Sequence, residues 1–393
     1  MENNITNLLM IPRVSQDRHY WIIRTNGGDY YQDFVLHQYI SIAWDYVSLN
    51  ILYNQSDDEI KRLVEVYERS SHSVDDDDEA DETSKGKITA IINKINRFVF
   101  EIDKKDIVLI PSKNSDTIAI AEVTSDVYET ENYVESYLKD NPNTEINPCP
   151  YRKRRKIKVL KTITKNQMDI YLSKGFYSQH ALSNMDEYAP YINRTIYGMY
   201  LIGDDLHTTL HAGHPNGISL KELVELSSYI EKASYSLAEQ CGLPFDSSQI
   251  EVKLNIHSPG LIEMIGAIAA GGAILSLFIF CLNNLINGGK FNITFKKDDV
   301  TNEINFSINS ETPGLKGNMQ KDKNLELTEK TQLLELIDKL DVKTPEIIAS
   351  ILNGKAVTPE MISDAQNSKS LLSKSEQTMQ VPVNTVDESS STE

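Results

Sequence analysis

The sequence predicts an α+β protein whose parts are arranged around one membrane-crossing helix. Three observations carry this expectation. Ile265 to Ile286, IGAIAAGGAILSLFIFCLNNLI, is an uncharged run. At about 1.5 Å per residue it would extend ~33 Å as a helix, against ~30 Å for a bilayer core. Short alternating runs such as Ile250 to Ile256 read as strands, and Ser219-Leu220-Lys221-Glu222 reads as a capping box opening a helix that ends near Gln240, before Gly242 and Pro244. A buried core helix is the alternative for the apolar run, although such helices usually mix in polar residues.

Composition bounds the rest. The chain has 393 residues, 40% of them hydrophobic, a mean hydropathy of −0.36 and a formal net charge of −18. That charge argues against nonspecific coating of duplex DNA, which needs a basic surface. Cys149, Cys241 and Cys281 lie far apart, so no disulfide framework or cysteine-rich metal site is expected. The first residues have neither a basic region nor a long apolar one, so no signal peptide is expected.

In order, residues 1–162 form the first expected domain. Tyr20 to Arg24 is a strand closed by the turn residues Asn26-Gly27-Gly28-Asp29, and Ile40 to Trp44 a second strand. Asp57 to Arg69 has the spacing of a short amphipathic helix. The acidic run Asp75 to Glu79, with Asp81 and Glu82, reads as a solvated, disordered loop. A helix from Lys87 to Asn96 leads into strands at Phe98 to Phe100, Ile107 to Ile110 and Ile118 to Ala121. Arg152 to Lys161 reads as an edge strand with one cationic face.

Trp21-Ile22-Ile23-Arg24-Thr25-Asn26-Gly27-Gly28, Ile42-Ala43-Trp44-Asp45, Lys105-Asp106-Ile107-Val108-Leu109-Ile110-Pro111 and Ile118 to Val123 together resemble the PUA-like N-terminal module of Mrr-type and other restriction proteins. The resemblance covers roughly residues 15 to 162. It implies a small bent β-barrel that reads a base or modified nucleotide in an aromatic-lined pocket. Lys105-Asp106 stands where such modules usually have Gly-Asp, so a differently built turn is expected there. On this reading Trp21, Tyr30 and Trp44 are candidates to sandwich a base, with Arg24 on a phosphate or base edge and Arg152, Arg154 and Arg155 on phosphates. The alternative for the aromatics is the barrel core, and for the cations a solvated sheet edge.

Residues 163–258 read as a small α/β connector. His207, His211 and His214 have zinc-ligand spacing on a helix, but Gly213 and Pro215 oppose a helix there, so a surface cluster is expected and no metal. Glu251-Val252-Lys253 with Asp246 is similar to the acidic and lysine residues of restriction nucleases, but lies too close in sequence to the aspartate, and ordinary strand alternation explains it. With no phosphate loop, nucleophile elbow or HExxH, neither a catalytic site nor a cofactor is expected.

The membrane segment spans residues 259–288. On a helical wheel Ala269, Gly272, Ser276, Ile279 and Asn283 form one stripe of mainly small and polar groups, the candidate pore lining. Residues 289–365 read as a β-hairpin (Lys290 to Lys297 with Ile304 to Ile308) followed by short helices, one from Leu325 to Leu340, and residues 366–393 as a disordered tail.

A ligand domain joined to a membrane helix looks like the membrane effectors of bacterial nucleotide-signalling antiphage systems. The resemblance implies a homo-oligomeric pore or ion channel in the cell inner membrane, single-pass, with the N-terminal domain cytoplasmic. Its partners would be membrane lipid, a nucleotide or short oligonucleotide, and a nucleotidyltransferase encoded nearby. The alternatives are a membrane-tethered nucleic-acid-binding module without channel activity, or a nuclease.

Overall fold

The computed structural model describes residues 10–71, 80–131, 133–177, 180–212, 218–255, 260–287, 293–297, 304–308 and 335–348. The chain forms two compact units, Gln16–Ile196 and the combination of Met1–Ser15 with Tyr197–Glu393. A short strand, β1 (Arg13–Val14), therefore belongs to the C-terminal unit.

The Gln16–Ile196 unit is built on a half-barrel sheet of β2 (Tyr20–Ile23), β3 (Tyr39–Ile42), β4 (Ile107–Pro111), β5 (Thr117–Val123), β6 (Tyr128–Glu129), β7 (Lys153–Thr164) and β8 (Leu182–Asn184). The order is β3-β7-β5-β4-β2-β8, with β6 also on β7. Only β2 and β4 run parallel. The twelve-residue β7 changes partner midway, pairing with β3 over Lys153 to Lys156 and with β5 over Ile157 to Thr164. β8 joins this sheet through β2, so the unit runs past the expected boundary at residue 162.

The central strands are buried on both faces, which is why they read as unbroken apolar runs. Trp21, Ile23, Val108, Ile110, Ala119 and Ala121 enter a core shared with Ile60, Val64, Ile91 and Ile95 from the helices Asp57–Ser71 and Ala80–Asn96. Tyr20, Ile22, Ile107, Leu109, Ile118 and Ile120 face the opposite core, with Leu172, Met185 and Ile192. β7 is no edge strand, because β3 and β6 flank its cationic start. Residues 75–79 of the acidic run lie outside the described residues.

The C-terminal unit has a second sheet in which β9 (Met199–Ile202), β10 (Asp205–Ala212), β11 (Glu251–Asn255) and β12 (Gly260–Ala267) follow β1 in the order β1-β9-β10-β12-β11. β13 (Ile293–Lys297) and β14 (Ile304–Ile308) pair antiparallel as a hairpin, and β15 (Val342–Lys343) adds to β10. Helix Leu220–Cys241 opens with the Ser219/Glu222 capping box and ends at Gly242 in the left-handed conformation. His207 and His211 lie on β10 rather than a helix, and His214 lies outside the described residues. So do residues 325–334 of the expected C-terminal helix and the tail 366–393.

The expected membrane helix does not exist as one element. Ile265 to Ala267 finish β12, Ile268–Ala270 form a 3-10 turn, Gly271 takes φ 137°, and helix Gly272–Asn287 follows with 16 residues. That length gives ~24 Å, short of a bilayer core. Among the described residues no helix is long and apolar enough to cross a membrane. The transmembrane helix and the single-pass inner-membrane placement are therefore corrected. The helix is apolar on all sides because every residue from Gly272 to Phe280 is buried in the unit's core.

The stripe expected to line a pore is packing. Ala269 sits in the exposed turn, and a Cβ at Gly272 would lie 2.5 Å from the Gly266 carbonyl oxygen. Ser276 donates to the Ala273 carbonyl at 2.7 Å, Ile279 is fully buried, and Asn283 accepts from Thr344 Oγ1 at 2.6 Å and Asn287 Nδ2 at 2.9 Å.

Candidate functional site

A cavity of about 370 Å³ lies where the chain leaves β2 and β3. That volume falls in the lower part of the ~300–1,000 Å³ range of small-molecule sites. Ile23, Arg24, Asn26 and Gly27 line it from the β2 exit, and Ser41, Ile42, Ala43 and Trp44 from β3. Tyr151 and Ala181 complete the wall, and none of these residues is a carboxylate.

The open half-barrel accounts for the position. Among the described residues β3 ends the sheet and has β7 on one side only. The Ile157 N–H donates to the Gln38 carbonyl at 2.9 Å, so the alternation of an antiparallel pair turns the main-chain groups of Ser41 and Ala43 away from β7. A closed barrel would have consumed them. Ser41 and Ala43 are both among the residues that line the cavity.

Trp44 is held in an uncommon conformation, with φ 64°. For a side chain of this size the left-handed region costs about 1–2 kcal/mol, and such strain persists where neighbours enforce it. The Trp44 carbonyl accepts from the Val47 N–H at 3.0 Å and from Lys153 Nζ at 2.8 Å. Lys153 also donates to the Val47 carbonyl at 3.0 Å and lies 3.5 Å from Asp45 Oδ1. Its side chain is fully buried, and this burial lowers its pKa while Asp45 opposes the shift. The ammonium thus clasps the turn that presents Trp44. Lys94 Nζ lies over the Trp44 ring at 5.7 Å from its centroid.

Arg24 donates through one guanidinium nitrogen to the Phe176 carbonyl at 2.6 Å and stands over the Phe176 ring at 6.0 Å. Burial lowers its pKa, yet an arginine stays charged at any working pH. Tyr151 packs edge-on against Tyr30, with centroids 5.5 Å apart, and burial pushes its phenol up to about 12, so it is neutral. The Asn26-Gly27 wall is shaped by a turn in which the Gly28 and Tyr30 N–H groups donate to the Thr25 carbonyl.

The structure sorts the sequence candidates. Arg24 and Trp44 line the cavity, whereas Tyr30 is not among its lining residues and packs edge-on against Tyr151, which is. Trp21 is core, 2% exposed, its indole N–H donating to Asp106 Oδ2 at 3.0 Å. Asp106 also accepts from the His19 and Asp103 N–H groups, and Lys105 takes φ 77°, so the turn keeps a glycine-like conformation although lysine occupies it.

Arg152, Arg154 and Arg155 do not form a phosphate face. Arg152 donates to the Thr130 carbonyl and lies 3.6 Å from Glu131. Arg154 is buried between the rings of Tyr39 and Tyr133, 4.1 and 4.5 Å from their centroids, and donates to the Tyr151 and Cys149 carbonyls. Arg155 is buried against Phe98 and donates to the Phe98, Val99 and Ser125 carbonyls. These guanidiniums tie loops to β7. Sequence reasoning missed Ser41 and Tyr151, which line the cavity, and Lys153, which holds the Trp44 turn, because no local pattern marks these roles.

In the C-terminal unit, His207 stacks on Tyr200 with centroids 4.9 Å apart, and its Nδ1 lies 3.7 Å from the Glu263 carboxylate. Among the described residues no group of three or more His, Cys, Asp or Glu could hold a metal ion. Asp246 caps the turn before β11, accepting from Ser248 and Gln249.

No protein-family model and no curated protein sequence matches the chain. Among solved structures, the chain is similar to the YTH domain of the Zygosaccharomyces rouxii MRB1 protein, crystallised in complex with N6-methyladenosine RNA. The identity is 12%, the match covers 44% of this chain and 81% of that one, and the TM-score is 0.22.

Proposed function

We propose that the Gln16–Ile196 unit reads a single unpaired nucleobase, presented by a nucleotide or a short single-stranded nucleic acid. The observation that carries this reading is the Trp44 ring, fixed in a left-handed turn on the wall of a carboxylate-free cavity that also holds Arg24 and the open edge of β3. A base stacked on Trp44 gains about 1–3 kcal/mol. The main-chain donors and acceptors of Ser41 and Ala43 suit the polar edge of that base, and Arg24 suits a base edge or a phosphate. A site for one base is compatible with a net charge of −18, since it does not depend on neutralising a long phosphate backbone.

The test is an equilibrium titration of the full chain with the four ribonucleoside monophosphates and with tetranucleotides of each base. At least one should bind saturably. Trp44→Ala should weaken that binding about 5- to 150-fold, the range that 1–3 kcal/mol of stacking represents, while Trp44→Phe retains most of it. Absence of saturable binding by every probe, or equal affinity in a folded Trp44→Ala protein, would refute the proposal.

A further inference from the structure

The sheet of the C-terminal unit ends on an open edge. β11 is paired with β12 and, among the described residues, has no strand on its other side. Two of its five residues are large, apolar and half exposed, Val252 at 51% and Leu254 at 46%. Tyr235, 45% exposed, lies beside the start of this strand, its hydroxyl 3.2 Å from Ser247 Oγ in the turn that leads into β11. Along the same face of helix Leu220–Cys241 follow the exposed Val224 and Leu220. An exposed apolar edge of this kind, unpaired among the described residues, is a template for strand addition.

The charges on β11 identify what would add to it. Glu251 and Lys253 occupy the strand's other face, 3.5 Å apart and more than half exposed. A two-fold axis perpendicular to the sheet brings residues of like parity opposite one another and keeps both helical layers on one side. With the axis at Glu251 two carboxylates meet, and with the axis at Lys253 two ammoniums meet. With the axis at Val252, each Glu251 faces a Lys253, Val252 faces Val252, and Leu254 faces Ile250. Unlike charges directly opposite contribute about 0.2–1 kcal/mol each and like charges oppose pairing by similar amounts.

We infer that β11 pairs antiparallel with β11 of a second copy of this chain, about a two-fold axis at Val252. Self-complementarity is what an interface between identical copies requires, whereas a strand from another protein would not need it. This dimer does not depend on the nucleobase reading.

Sedimentation equilibrium of the full chain across the micromolar range should show reversible association from 44.5 kDa to twice that mass. Glu251→Lys alone and Lys253→Glu alone should each weaken the dimer on the order of tenfold, because each replaces two attractions by two repulsions. The double exchange restores complementarity and should return the affinity to near wild type, a recovery that damage to the fold would not give. In Val252→Cys the two thiols should be joined by a mild oxidant such as diamide, since directly opposed residues have Cα atoms about 4.5–5.5 Å apart, within the disulfide range. A monomer throughout, as expected if the edge serves a different protein, overturns the inference. So does a dimer indifferent to these exchanges.

Discussion

Replacing Lys153 by methionine should damage both the stability of the Gln16–Ile196 unit and its ligand site. The fully buried ammonium donates to the Trp44 and Val47 carbonyls at 2.8 and 3.0 Å and lies 3.5 Å from Asp45. Hydrogen bonds to a charged group contribute about 1.5–3 kcal/mol each, and removing one partner of a buried ion pair costs about 3–5 kcal/mol. Methionine recovers the desolvation of the ammonium, and the Asp45 side chain, 29% exposed, keeps water and the Arg152 N–H. The net loss expected is therefore about 2–4 kcal/mol. The left-handed turn at Trp44 would lose its clasp, so nucleotide affinity should fall at least about tenfold, or ~1.4 kcal/mol. Urea unfolding followed by circular dichroism measures the first effect, and titration under conditions where the variant is folded measures the second. A Lys153→Met protein within about 0.5 kcal/mol of wild type and with unchanged affinity would refute the role assigned to the clasp.

Other predictions address separate parts of the structure. The hydrogen bond to Asp186, assisted by the charges of Asp186, Asp106 and Asp103 and opposed by partial burial, raises the His19 pKa above 6.5. Stability from this pair should be complete below that value and lost as pH rises through the folded pKa, so His19→Gln should flatten the rise in melting temperature on acidification from about pH 8 to 6. Gly28 has φ 107°, and an added Cβ would lie 2.3 Å from the Lys113 nitrogen, so Gly28→Ala should destabilise by more than about 2 kcal/mol in chemical denaturation. Gly27→Ala meets no atom within 4 Å and should cost about 1 kcal/mol for its φ of 68°. Gly272→Ala should lower the melting temperature of the C-terminal unit, because the new methyl meets the Gly266 carbonyl. An unchanged melt would contradict the close packing of this helix on β12.

Several elements were legible because local chemistry and tertiary structure agree. The strands at Trp21, Ile107 and Ile118 announce themselves by β-branched and aromatic runs, and the Ser219/Glu222 box by its spacing. Arg24 and Trp44 line the cavity, at the turns that end β2 and β3, where turn residues and aromatics are visible in the sequence. The charge run at Lys153 to Arg155 misled, because its acceptors are carbonyls of distant residues such as Trp44, Cys149 and Phe98, which no periodicity reveals. The apolar run misled for the opposite reason. A helix enclosed on every side carries no charged face and so resembles a membrane span, while the decisive signal, Gly271-Gly272 breaking the run between strand and helix, is masked because Gly272 also fits a small-residue stripe of the kind expected to line a pore. Tyr151 enters the cavity from a segment with no regular structure of its own, so its place depends wholly on how β7 folds back on β3.

The central claim, a base stacked on Trp44, is tested most directly by the two indole N–H signals of the full chain in a ¹H–¹⁵N correlation spectrum, since the protein contains 2 tryptophans. The Trp21 indole is buried on Asp106 and the Trp44 indole stands at the cavity. Titration with the tightest-binding nucleoside monophosphate should move one indole signal along a saturating curve. That signal should be the one missing from Trp44→Phe, and the Trp21 signal should stay in place. A saturating ligand that moves only the Trp21 signal, or neither, would contradict the account.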